Sequence, residues 1–202
     1  SNVAGKSTTM NIMTGCLAAS SGEVKIDGHD IFEESGAAKR LLGYLPEQPP
    51  LYMDRTPREY LTFVGHAKGL SRAQLAEQME RVMSVTQIGD VADRLIKNLS
   101  KGYRQRVGIA QALLGDPKIV ILDEPTVGLD PRQIIEIRDL IKALGREHTV
   151  ILSSHILSEV QAVCQTILII SKGRLVACDT PENLERLFAG STTVELTAEA
   201  PA

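Results

Sequence analysis

The run Ile119-Val120-Ile121-Leu122 is closed at once by Asp123-Glu124, and this stretch constrains the fold more than any other in the chain. Four successive large aliphatic residues leave no face for water, so the segment reads as a strand buried on both sides, the kind found in parallel sheets covered by helices. The flanking pattern agrees. Helical periodicity covers 102–114; after the strand come a helix at 131–144, a strand at 149–153, a helix at 156–163 and a strand at 166–171. Lys172-Gly173 then turns a hairpin into 174–179. Asp130-Pro131 supplies an N-cap and a first-turn proline for the 131–144 helix. Strands alternating with helices predict an α/β fold with a mostly parallel sheet. Ligands of such sheets bind where the strands end, and Asp123 and Glu124 emerge there.

The chain before this unit falls into two zones. Residues 7–17 read as a helix, and Gly22-Glu23-Val24-Lys25-Ile26-Asp27-Gly28 as a strand and turn. The second zone is helical: Thr56-Pro57-Arg58-Glu59 combines a capping box with a first-turn proline, and Ser71-Arg72-Ala73-Gln74 repeats the cap before a helix to about residue 85. With 202 residues, one α/β core and a smaller inserted lobe fill the chain. A net charge of −3, with both signs interspersed, gives no electrostatic footprint for nucleic acid. The apolar runs fall far short of the roughly 20 residues that span a bilayer, so no direct membrane insertion is expected. Ser1-Asn2-Val3 leads into Ala4-Gly5-Lys6 without the apolar stretch of a signal peptide. Cys16, Cys164 and Cys178 are scattered and lack a CxxC spacing, which reads as small buried apolar side chains in a reducing compartment.

Three segments carry the chemistry. Gly5-Lys6-Ser7 matches the end of a P-loop, whose amides face phosphates, whose lysine reaches the β- and γ-phosphates and whose hydroxyl binds Mg²⁺; alone it is also compatible with an ordinary loop before a helix. The first glycine of that pattern would precede residue 1, and Val3 stands where a glycine is usual, so Ser1-Asn2, or Ser1-Asn2-Val3, reads as an expression remnant or a sequence edge. The strand feeding a P-loop would be missing too, leaving unpaired ladder groups on a neighbouring strand and a chain that folds poorly or pairs with something foreign. Asp123 is placed to hold Mg²⁺ and Glu124 to polarise an attacking water, although two acids at a strand end could also form a turn. Ser100, at a helix start with the small Gly102 beside it, offers a hydroxyl, amides and a positive dipole end to an anion, or serves only as an N-cap.

Leu99-Ser100-Lys101-Gly102-Tyr103-Arg104-Gln105-Arg106 resembles the LSGGQ signature of ABC-transporter ATPases, and the helix and acid-ended strand follow it as they do in that family. Lys101 and Tyr103 depart from the family's second glycine and glutamine. Val127-Gly128-Leu129-Asp130 resembles the D-loop and Ser153-Ser154-His155 the switch-histidine segment. The resemblance implies a RecA-like P-loop core at 1–48 and 112–190, an inserted helical signature subdomain at 49–111, a remnant of an antiparallel β subdomain and a C-terminal extension at 191–202. It implies ATP and Mg²⁺ as ligands. Gly5, Lys6, Ser7 and Thr8 would hold the nucleotide; Ser100, Gly102 and Asp130 would meet it across a dimer; Ser7, Asp123 and Glu47 would serve the metal. Glu124 would be the base and His155 would orient the water. Glu47 aligns with the Q-loop glutamine, with Gln48 one residue on, and either could reach the metal or the water.

Leu45-Pro46-Glu47-Gln48-Pro49-Pro50-Leu51-Tyr52, taken with the Lys-Gly-Tyr signature variant, resembles the ATPases of ABC-2-type exporters. The implied partners are a second nucleotide-binding domain, in a homodimer or a pair, and a separate transmembrane permease that holds the protein on the cytoplasmic face of the membrane. Pro46, Pro49 and Pro50 stiffen the joint to the helical lobe, whose surface near the Q-loop would dock the permease. The family's adenine-stacking aromatic would precede residue 1, so weak ATP affinity and little or no activity are expected of this stretch alone. The alternatives are a soluble ABC ATPase acting on a non-membrane partner and a non-hydrolysing regulatory ATP-binding module. A single module, a lobe of about fifty residues and no basic patch count against ribosome- or DNA-directed relatives.

Overall fold

The structure, a computed structural model, describes residues 5–189. Ser1 to Ala4, which fall inside the expected phosphate loop, and the C-terminal extension expected at 191–202 lie outside the described residues. The chain opens with α1 (Lys6–Met13), the antiparallel pair β1 (Lys25–Ile26) and β2 (His29–Asp30), and α2 (Ser35–Arg40). After β3 (Leu42–Leu45) come three helices, α3 (Pro57–Ala67), α4 (Arg72–Val85) and α5 (Lys101–Leu113). Then β4 (Ile119–Asp123), α6 (Pro131–Leu144), β5 (Thr149–Ser153) and α7 (Leu157–Gln161) alternate. A hairpin of β6 (Ile167–Ser171) and β7 (Arg174–Asp179) leads into α8 (Pro181–Ala189).

β4 is the centre of a parallel sheet in the order β3-β4-β5, with Leu45 and Leu152 both in register with Leu122. Its side chains alternate between two cores. Ile121 packs with Met10, Ile26, Ile31 and Leu42, whereas Val120 and Leu122 join a larger cluster with Leu61, Val82, Ile109 and Ile137. Each such fully buried aliphatic side chain contributes about 1.5–3 kcal/mol, which accounts for the unbroken apolar run. In α3 and α4 both halves of the capping box form: the Thr56 and Ser71 hydroxyls accept from the amides of Glu59 and Gln74, whose side chains accept from the cap amides.

α5 lies on β3 at a distance only glycine permits. A Cβ on Gly43 would fall 2.2 Å from the carbonyl oxygen of Ala112, and beside it Gln111 Nε2 donates to the Tyr44 carbonyl at 2.6 Å. On the opposite face of the joint, Gly108 leaves room for Leu45 and Pro49. Pro49, after β3, thus rests on the helix that begins at the signature.

Two expectations change. The strand at 166–171 does not join the parallel sheet: β6 pairs with β7, and among the described residues β5 has β4 as its one strand neighbour. The local turn explains the pairing, since Lys172 and Gly173 both adopt positive φ (49° and 72°), the geometry of a tight two-residue hairpin. Leu168, Leu175 and Val176 of the hairpin are exposed, at 60%, 59% and 64%. The cysteines are not buried either: Cys16 and Cys178 are exposed and Cys164 is half-buried. Among the described residues, no helix is long and apolar enough to cross a membrane.

Candidate active site at the carboxyl edge of the sheet

Gly5 begins α1 in the left-handed region, with φ of 84°, a conformation that glycine alone adopts without strain. This turn aims Lys6 across the ends of the strands. Its Nζ lies 3.3 Å from Glu124 Oε1 and donates to the carbonyl of Ser154 at 3.1 Å. Glu124 follows the last residue of β4 with φ of 48°, a strained bend that turns its side chain back over the sheet edge. Its second oxygen lies 2.8 Å from Nδ1 of His155, within hydrogen-bonding distance. Lys6, Glu124 and His155, remote in sequence, therefore converge, with the Glu124 side chain 14% exposed.

Behind them stands a layer of hydroxyls. Ser153, at the end of β5 and in register with Asp123, donates to Asp123 Oδ1 and accepts from the Glu124 amide at 3.0 Å. One hydroxyl thus fixes both acids. Glu159 of α7 is 8% exposed; its Oε2 accepts from Thr126 at 2.5 Å and from Ser154 at 3.3 Å. Ser154 Oγ in turn accepts from the Ile156 amide at 3.1 Å. Sequence reasoning missed Glu159, Thr126 and the part played by Ser153. In sequence Glu159 stands four residues after His155, with nothing local to mark it.

The other candidates sit on separate elements. Glu47 and Gln48 leave the carboxyl end of β3, the same edge, but both are exposed and neither makes a hydrogen bond or ion pair with Lys6, Asp123, Glu124 or His155. Thr8 is exposed on the first turn of α1 and Ser7 half-buried. Ser100 caps α5, accepting from the Tyr103 amide at 3.3 Å, and Asp130 caps α6, accepting from Gln133 at 3.0 Å. A Cβ on Gly102 would meet the Gln133 side chain at 2.7 Å, so the two helix starts abut. Lys101, the departure from the signature, lays its ammonium against Gly128, where an added Cβ would be 2.2 Å away. Tyr103, the other departure, donates to Asp90 at 2.7 Å, and that bond raises its phenol pKa.

Asp123 and Ser7 offer one carboxylate and one hydroxyl at the same edge, hard oxygens of the type Mg²⁺ takes. Among the described residues no group of three or more His, Cys, Asp or Glu could hold a metal. That donor set fits Mg²⁺ completed by substrate phosphates and water, and it does not fit a protein-only cage.

A family model described as ABC transporter matches residues 1–127. The chain belongs to the ABC transporter family. It is 43% identical over 178 residues to the uncharacterized ABC transporter ATP-binding protein YhcH of Bacillus subtilis, covering 87% of this chain and 57% of that protein. It is 38% identical over 191 residues to the lantibiotic transport ATP-binding protein SrtF of Streptococcus pyogenes, covering 93% and 80%. Among solved structures, cbiO1 from Clostridium perfringens, part of the ABC transporter complex cbiONQ, superposes with a TM-score of 0.83 at 27% identity, covering 94% of this chain and 77% of that one. The fold is therefore that of the ABC ATPase domains, a P-loop NTPase. The chain spans about half the length of relatives such as YhcH.

Proposed function

We propose that this ABC chain is the ATP-binding and ATP-hydrolysing part of a transporter, and that it drives export through a separate transmembrane permease by ATP-dependent closure of two nucleotide-binding domains. The observation that carries the reading is the convergence of Lys6, Glu124 and His155 at the carboxyl edge of the sheet. Lys6 can exchange Glu124 and the Ser154 carbonyl for β- and γ-phosphate oxygens. Glu124 takes a proton from water as the water oxygen bonds to the γ-phosphorus, the bond to the bridging oxygen breaks, and ADP departs. His155, held by Glu124, can reach the same γ-phosphate and orient the water. Ser7 and Asp123 would hold Mg²⁺, which neutralises charge developing on the phosphates. Gly5 and Thr8 line the approach, and Glu47 or Gln48 closes it from β3.

Ser100, Gly102 and Asp130 are assigned to the nucleotide of a second copy. Their helix starts abut, yet they make no bond to Lys6 or Glu124 of the same chain. Export is the direction favoured by the ABC-2-like segment after β3. The permease would hold the protein at the cytoplasmic face of the membrane. The test is ATP hydrolysis by the full-length protein, reconstituted in vesicles with its membrane partner. Glu124→Gln should retain ATP and lose about 10²–10⁴-fold in turnover. Undiminished hydrolysis in that variant would remove Glu124 from the role.

A further inference from the structure

We propose that Glu159 is a positioning residue that holds the Lys6–Glu124–His155 centre in register, by tying the turn after β4 to the segment after β5. The inference rests on the ATPase reading above. The geometry is a closed ring. Glu124 meets His155 at 2.8 Å; Ser154, the neighbour of His155, reaches Glu159 at 3.3 Å; Glu159 accepts from Thr126 at 2.5 Å; and Thr126 stands two residues beyond Glu124.

Three features mark this ring as more than packing. First, Glu159 and Thr126 are 8% and 6% exposed, so a carboxylate has been taken from water with hydroxyls as its bonded partners. Burial of such a group is costly unless its hydrogen bonds are made, so the arrangement tolerates little displacement. Second, the residue that Glu159 fixes carries the centre on its other side. The Ser154 hydroxyl binds Glu159, while the Ser154 carbonyl accepts from Lys6 at 3.1 Å. A shift of that peptide moves the lysine acceptor and the histidine together. Third, the turn reached through Thr126 continues into Gly128 and Asp130, the cap of α6. The same carboxylate therefore links the base, the histidine segment and the helix start assigned to the second nucleotide. A small loss of register here is expected to cost turnover, because catalysis depends on placement at the level of about an ångström.

The test uses the full-length protein with its membrane partner, comparing Glu159→Ala, Thr126→Val and Thr126→Ser with His155→Ala. Glu159→Ala and Thr126→Val should each lower kcat about tenfold or more with KM for ATP within about twofold, and Thr126→Ser, which keeps the hydroxyl, should restore turnover. Combined with His155→Ala, neither should add its full loss, because part of each effect runs through that histidine. A signature independent of turnover is the ¹⁵N NMR spectrum of the His155 imidazole. One tautomer is expected in the parent, and averaging of the two ring nitrogens in Glu159→Ala, as in Glu124→Gln. Losses that multiply fully with His155→Ala, or an unaltered imidazole spectrum in Glu159→Ala, would overturn the proposal. A parent protein without ATPase activity would instead sink the functional reading, while the imidazole spectrum would still decide the positioning.

Discussion

Lys6 and Glu124 are 118 residues apart in sequence and 3.3 Å apart in space. The ammonium that a triphosphate needs is thus shared with the carboxylate that would activate water. With the two side chains 32% and 14% exposed, such a pair is worth about 0–1 kcal/mol, and a polyanion displaces it readily. Glu124→Gln removes the competing charge. ATP affinity in that variant is expected to rise, by no more than about fivefold, as turnover falls. Calorimetric titration with ATP checks it, and an affinity below that of the parent would contradict the competition.

The contact of Gly43 with α5 sets where the signature helix lies on the sheet. A Cβ there meets backbone, with 2.2 Å to the Ala112 oxygen and 2.9 Å to its carbonyl carbon, so no side-chain rotation relieves it. Gly43→Ala is expected to destabilise the fold by at least about 1–3 kcal/mol and to push α5 away from β3. Thermal unfolding reads the first effect, and loss of the Gln111–Tyr44 bond in a crystal structure reads the second. A variant that melts with the parent would show that the contact yields.

How much of this was legible in the sequence depended on how local the deciding interaction is. The caps at Thr56, Ser71 and Asp130 close within three residues, and all three appear as read. The buried strand announced itself because both of its faces are apolar. β3 did not, because Leu42-Gly43-Tyr44-Leu45 is short and its glycine argues against a strand; the Ala112 backbone that requires that glycine is far away in sequence. The β6–β7 hairpin was legible in Lys172-Gly173 and forms as read; alternation misled only in also placing β6 in the main sheet. In the site, Lys6, Glu124 and His155 could be named from motifs because their chemistry dictates residue type. Glu159 could not. An acid on a five-residue helix looks like solvent-exposed surface until Thr126 and Ser154 are folded over it.

The segment after β3 and the facing side of α3 carry an uncovered aromatic face. Tyr52 and Phe63 are 45% and 52% exposed with ring centroids 5.3 Å apart, and Met53 beside them is 39% exposed. Under the proposed function this face docks the permease, and Phe63→Asp is expected to abolish co-purification with that permease while leaving basal hydrolysis unchanged, since Phe63 lies on α3 outside the Lys6–Glu124–His155 group. Retained complex formation would place the permease on another surface.

Lys68 follows the last residue of α3, and its ammonium donates to the carbonyls of Gln111 at 3.1 Å, Ala112 at 3.4 Å and Leu114 at 2.5 Å, closing the end of α5. Those groups lack helical partners, and the negative end of the helix dipole favours a cation there. Burial works the other way and pushes the Lys68 pKa from its ordinary 10.5 down to about 8. Below about 8 the group is protonated whether folded or unfolded, so the cost of burying the charge is fully present. Between about 8 and 10.5 the folded chain binds fewer protons than the unfolded one, so the Lys68 contribution to stability rises with pH across that window. Lys68→Met should remove this rise, and at neutral pH it should cost about 1–3 kcal/mol if the orphaned carbonyls outweigh the relieved desolvation. Urea unfolding of parent and variant at pH 7.5 and pH 9.5 separates the two terms. A parent whose stability relative to the variant falls between those pH values would show that the carbonyls, and not burial, set the ionisation of Lys68.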